Sequence, residues 1–143
     1  LHVRSRRQRQ MCIRDSYTGV AEVAGFDIAE QALAGRADRA LASTRRALQL
    51  GTSPVAIAAA LAYKVGDVAK LYGVRGNPEQ LARQLGMPPY GVKRTMQTAR
   101  QWSGDAISEA VIIVADLDAT VKGQGGDPEF AVEDAVRRIA ELA

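Results

Sequence analysis

Apolar residues along this chain recur three and four positions apart, and no stretch alternates apolar with polar residues in the manner of a strand. The longest such stretch, SGDAISEAVIIVADLDATVKG from Ser103 to Gly123, predicts one long helix. Ile107, Ala110, Val114, Leu117 and Val121 fall on one face of it, with Val111 beside them and Ile112 well off it. Asp118 is expected inside that stripe, and Lys122 follows one turn later. An inward carboxylate needs a partner, because an unpaired buried charge is costly. The acid-first i,i+4 spacing supplies Lys122. Lys64, near the stripe of another predicted helix, is the expected second cation of a structural ion pair.

Three further helices begin with a capping residue followed by proline: Ser53-Pro54, Asn77-Pro78 and Asp127-Pro128. The cap side chain accepts an orphan N–H, and proline in the first turn loses nothing by lacking one. The Ser53 helix is predicted to reach about Tyr72, with Ile57, Leu61, Val65, Val68 and Tyr72 as its stripe. The Asn77 helix, PEQLARQL, is short and ends at Gly86. GMPP then turns the chain into a helix from about Pro89 to Trp102, lined inside by Val92, Met96, Ala99 and Trp102. The last helix, from Pro128, carries Val132, Ala135, Val136, Ile139 and Leu142 on one face. Upstream, Asp27 reads as the cap of a short helix, IAEQALA, with Tyr17 to Gly25 as a connector before it. A helix from about Arg36 to Leu50 places Ala37, Leu41, Thr44 and Leu48 inward, flanked by Ala40 and Ala47. The whole reads as all-α.

Composition sharpens this picture. The 143 residues are 47% hydrophobic, enough for a real core, and much of that is alanine, which favours close helix packing. Aromatics are 5%. The formal charge of +3 comes from the first sixteen residues, LHVRSRRQRQMCIRDS, where five arginines face one acid, Asp15. Without them the chain has 14 basic and 15 acidic residues. MCIRDS looks like translated adapter sequence, and the chain does not begin with Met, so residues 1–16 are expected to be a foreign or disordered tail outside the fold. The only cysteine and the only histidine, Cys12 and His2, lie there. No disulfide, zinc site or histidine-based catalysis is therefore expected in the body. No apolar run is long enough to span a membrane, and a cytoplasmic location is expected.

The chemistry-bearing motifs are few. VRGNPEQ and KGQGGDP contain glycines but match no phosphate-binding loop. Asp116 and Asp118 would point about 160° apart on a helix, which disfavours a shared metal or an acid–base pair. No catalytic, cofactor or metal residue is expected. The sharpest alternative is LARQLGMPPYGVKRTMQTAR: two short helices across a tight turn describe a helix-turn-helix over residues 78–101. Its second helix would present Tyr90, Lys93, Arg94 and Gln97 to DNA. A near-neutral body argues against a regulator of that kind.

Four segments together resemble a known family: AEVAGFDIAEQALAGRADRAL, LQLGTSPVAIAAALAYKVGDVAKL, LARQLGMPPYGVKRTMQTARQWS, and ADLDATVKG followed by DPEFAVEDAV. They are similar to the C-terminal part of the bacterial DNA polymerase III delta subunit, in an actinobacterial form. The resemblance covers about Ala21 to Leu142. It implies a remnant of the small helical AAA+ lid domain over residues 17–52 and a helical-bundle collar domain over residues 53–143. It also implies gamma/tau and delta-prime partners in a clamp loader of the replisome. The sliding clamp would be bound through an N-terminal domain outside this chain, and DNA would be met indirectly through the complex. The resemblance implies no ATP hydrolysis by delta, so the fragment would not be an enzyme, although the parent complex is a DNA-directed DNA polymerase. Ile112 is then a candidate subunit contact, and Lys93 and Arg94 are candidate DNA-proximal residues.

Overall fold

The proline-led starts are set by their caps. Ser53 Oγ accepts the Val55 N–H at 3.1 Å, Asn77 Oδ1 the Glu79 N–H at 2.9 Å, and Asp127 Oδ1 the Glu129 N–H at 3.0 Å. Ser103 Oγ does the same for Ala106 at 3.1 Å. The structure, a computed structural model, describes residues 21–143. Among these residues there are seven helices and no strand. They are α1 (residues 21–33), α2 (Ala37–Gln49), α3 (Pro54–Leu71), α4 (Pro78–Leu85), α5 (Pro89–Arg100), α6 (Gly104–Val121) and α7 (Pro128–Leu142). The fold is all-α. The expected tail over residues 1–16, and the connector as far as residue 20, lie outside the described residues.

Helix α1 starts earlier than its sequence predicts. Residues 21–26 are already helical, so Asp27 is an interior residue and accepts a hydrogen bond from Gln31 Nε2 at 3.0 Å. Gly25, expected in the connector, sits inside the helix where α1 meets α3. A Cβ there would lie 2.7 Å from the Ala60 Cβ. Only glycine lets the two backbones come this close.

The core forms around α6, which packs between α3 and α7, while α2 lies along α7. Ile107, Ala110, Ile113, Val114, Leu117 and Val121 are the buried residues of α6. Relative to the expected stripe, the buried arc is turned toward Ile113, because α3 and α7 cover the helix from two sides. Val111 and Asp118, on the opposite edge of the arc, are left in water. In α2 the stripe is turned as well: Ala40, Thr44 and Ala47 are buried, and Ala37, Leu41 and Leu48 are half-buried. The buried Thr44 hydroxyl is satisfied, donating to the Ala40 carbonyl at 2.7 Å. Tyr72, expected on the α3 stripe, is exposed just past the end of that helix.

One continuous core joins residues of α1 and α2 (Ile28, Ala40) to those of α3, α6 and α7 (Leu61, Val114, Ile139). A smaller cluster of Leu71, Ala82, Val92 and Met96 seats α4 and α5. Trp102, buried just past α5, donates its Nε1–H to the Leu33 carbonyl at 2.9 Å and ties the end of α1 to the start of α6. The core cluster therefore includes residues on both sides of Thr52.

Candidate functional site

Among the described residues, no group of three or more His, Cys, Asp or Glu side chains comes together as a metal site would require. Among the described residues the one buried charged residue is Asp67 on α3, which is 5% exposed. Its Oδ2 has no hydrogen-bond partner among the described residues. Burial pushes its carboxyl above the usual carboxylate range, and the nearby Lys70 and Lys64 oppose that shift. Sequence reasoning passed over Asp67. The available signal was its place seven residues after Ala60, on the side of α3 that α1 approaches.

The expected ion pair is present in part. Lys122 Nζ lies 3.0 Å from Asp118 Oδ1, but both side chains are more than half exposed, so Asp118 is not a buried charge. An exposed i,i+4 pair contributes about 0.3–0.5 kcal/mol. Lys64 is not a member of it. Its Nζ stands 5.2 Å from the centroid of the Phe26 ring, between α1 and α3. Asp118 had been expected to need a second cation because it was placed inside the stripe. The rotation of α6 exposes it to water, which removes the need.

Helices α4 and α5 do form a short pair across the Gly86 turn, where Gly86 is left-handed at φ 67°. Arg94 turns back to Glu30 of α1, at 3.4 Å, and lies 5.7 Å from the centroid of the Tyr90 ring. Lys93 and Gln97 remain exposed. Lys93 and Arg94, adjacent in sequence, therefore face different surroundings.

Ile112 is 54% exposed and Val111 42%, side by side on the outer face of α6. Ser108 and Ala115, one turn away on either side, are also exposed. Glu109 and Asp116, also one turn from Ile112, are exposed as well, so Val111 and Ile112 form a small apolar patch bordered by carboxylates.

A family model described as DNA polymerase III delta subunit, C-terminal domain, matches residues 22–139. The chain belongs to that family. The match runs through Thr52. Among solved structures, the Bacillus subtilis DNA clamp loader delta protein (YqeN) is similar, with a TM-score of 0.72 at 18% sequence identity. The superposition covers 85% of this chain and 37% of that one. At that identity the likeness is one of fold, and this delta C-terminal chain spans little more than a third of its relative's length. No curated protein matches the sequence. None of the described helices is long and apolar enough to cross a membrane.

Proposed function

We propose that this chain is the end of the lid domain, as far as residue 52, and the collar domain, from residue 53, of a clamp-loader delta subunit, and that it holds that subunit to its neighbours in the loader. The observation that carries this reading is the delta C-terminal family match over residues 22–139. The partners would be the gamma/tau and delta-prime subunits. The sliding clamp would be engaged through the part of delta outside this chain, so that the loader places it on primed DNA in the replisome. The chain contributes association rather than catalysis, and nucleotide addition belongs to the polymerase of the parent complex.

The contact is assigned to the outer face of α6. Burying a Val or Ile side chain contributes about 1.5–3 kcal/mol when it moves fully out of water, so Val111 and Ile112 are the anchors a neighbouring subunit would cover. The test is co-purification of the chain with gamma/tau and delta-prime in the absence of DNA. Ile112→Glu should weaken association at least tenfold and leave the thermal melt unchanged, since the side chain is exposed. A chain that binds neither partner refutes the collar reading. Undiminished binding by Ile112→Glu removes α6 as the contact.

A further inference from the structure

The charge of the near-neutral body is unevenly spread. Residues 17–102 carry eleven cations against six acids, and residues 103–143 carry nine acids against Lys122, Arg137 and Arg138. Several acids of the second part are matched: Asp118 by Lys122 at 3.0 Å, Glu133 by Arg45 at 3.6 Å, and Asp134 by Arg137. Asp105 and Asp116 make no ion pair with any described residue. Glu109 has Arg138 at 3.8 Å, but the same guanidinium also serves Asp134 at 3.9 Å.

These three under-matched carboxylates share one ridge of α6. Asp105, Glu109, Ile112 and Asp116 follow one another at intervals of four, three and four residues, which stacks them along one side of the helix over about 16 Å. All four are exposed. Ile112 is set within the row of acids, and Val111 lies on the side of it away from that row. The Glu109–Arg138 contact places the ridge on the flank of α6 that looks toward α7. The other flank, beyond Val111, carries Asp118 with its own cation, Lys122. The patch is therefore asymmetric: apolar at Val111 and Ile112, negative along one border, balanced along the other. Like charges one turn apart on a helix repel, so the free chain gains nothing from this row, whereas cations brought from outside would.

We propose that the subunit covering Val111 and Ile112 presents an apolar side chain bordered, on the α7 side, by lysines or arginines that meet Asp105, Glu109 and Asp116. This rests on the reading of the outer face of α6 as the subunit contact, and it names the chemistry of the face that fits there. The two kinds of residue do different work. The apolar anchors leave water on docking and hold the complex, so they act on its dissociation. Carboxylates at the rim stay partly wet, so they draw the partner in and fix its orientation rather than add much affinity. A partner turned the other way about the anchor would set its cations against the balanced Asp118–Lys122 border and leave the ridge unmatched.

The test measures association and dissociation rates of the 143-residue chain with purified gamma/tau and delta-prime over a salt series. Glu109→Gln with Asp116→Asn should slow association by about threefold or more at low salt, flatten its dependence on salt, and leave dissociation nearly as it was. Asp105 is kept in this variant, because an acid in the first turn also favours the helix N-terminus. Ile112→Ala should do the reverse: faster dissociation with an unchanged salt dependence. Asp38→Asn with Glu79→Gln neutralises as many exposed acids on α2 and α4 and should change neither rate. If the ridge double variant melts early, Asp116→Asn alone should still flatten the salt dependence. Unchanged or faster association in the ridge variants, with Ile112→Ala still dissociating faster, overturns the proposal and leaves the contact in place. A parent chain that binds neither partner refutes the contact itself, and the proposal with it.

Discussion

Gly25→Ala separates two views of the first helices by the sign of its effect. On a helix with nothing against it, alanine is about 1 kcal/mol better than glycine, so the substitution should stabilise. In the structure the added methyl would lie 2.7 Å from the Ala60 Cβ and 3.5 Å from the Ala56 carbonyl oxygen. Carbon atoms pack at about 3.5–4.0 Å, so α1 and α3 would have to separate by on the order of 1 Å. Overpacking of that kind costs about 1–3 kcal/mol. The cost outweighs the propensity gain, and Gly25→Ala should lower stability by about 1 kcal/mol or somewhat more. Ala60→Gly alone should also destabilise, by about 1 kcal/mol, through helix propensity. Combined, the two changes move the methyl from one helix to the other. The double variant should then be more stable than the sum of the singles by about 1–3 kcal/mol, within the range of coupling between residues in contact. Urea unfolding followed by far-ultraviolet circular dichroism measures all four proteins. A stabilised Gly25→Ala with no coupling would mean that α1 is not seated on α3 through this glycine.

Two more expectations test the interior. Trp102→Phe keeps most of the buried ring but removes the donor to the Leu33 carbonyl, which is the last of α1 and has no helical donor of its own; the loss should be about 1–3 kcal/mol, read by urea unfolding, and a neutral effect would show that water replaces the indole. Asp67→Asn should stabilise the protein by on the order of 1 kcal/mol at pH 7, since it removes charge from a buried oxygen with no hydrogen bond. Because burial raises the folded carboxyl above its unfolded value of 3.8, the contribution of Asp67 to stability is fully present below that value, falls as pH rises through the folded one, and stays low above it. The advantage of Asp67→Asn in melting temperature should therefore shrink as pH is lowered through that window, and an advantage independent of pH would refute the assignment.

How much was legible depended on how local the determining contacts are. The starts at Ser53, Asn77 and Asp127 were readable because a cap is decided within three residues, by one side chain and one N–H. Helical period was readable for the same reason. The rotation of α6 was not. Periodicity marks an arc, but Val111 and Ile113 sit at its two edges, and the choice between them lies with α3 and α7. That choice also turned Asp118 from an expected buried charge into an exposed one. Gly25 was read as the end of a connector, and only the approach of Ala60 shows what it is for.

By itself, the amino-acid order determined an all-α chain, most of its helix starts, its apolar faces to within one residue, and a resemblance strong enough to name the family. These follow from interactions that span a single turn. Only the tertiary structure decided that α1 and α2 share one core with the rest, that Lys64 faces Phe26 rather than Asp118, and that Arg94 is held by Glu30, 64 positions away in the chain. It also decided that Arg75 and Arg100, twenty-five positions apart, border one hollow. Which side chains meet across helices depends on how those helices cross, and crossing is set by the packing of the whole core rather than by any one stretch of it.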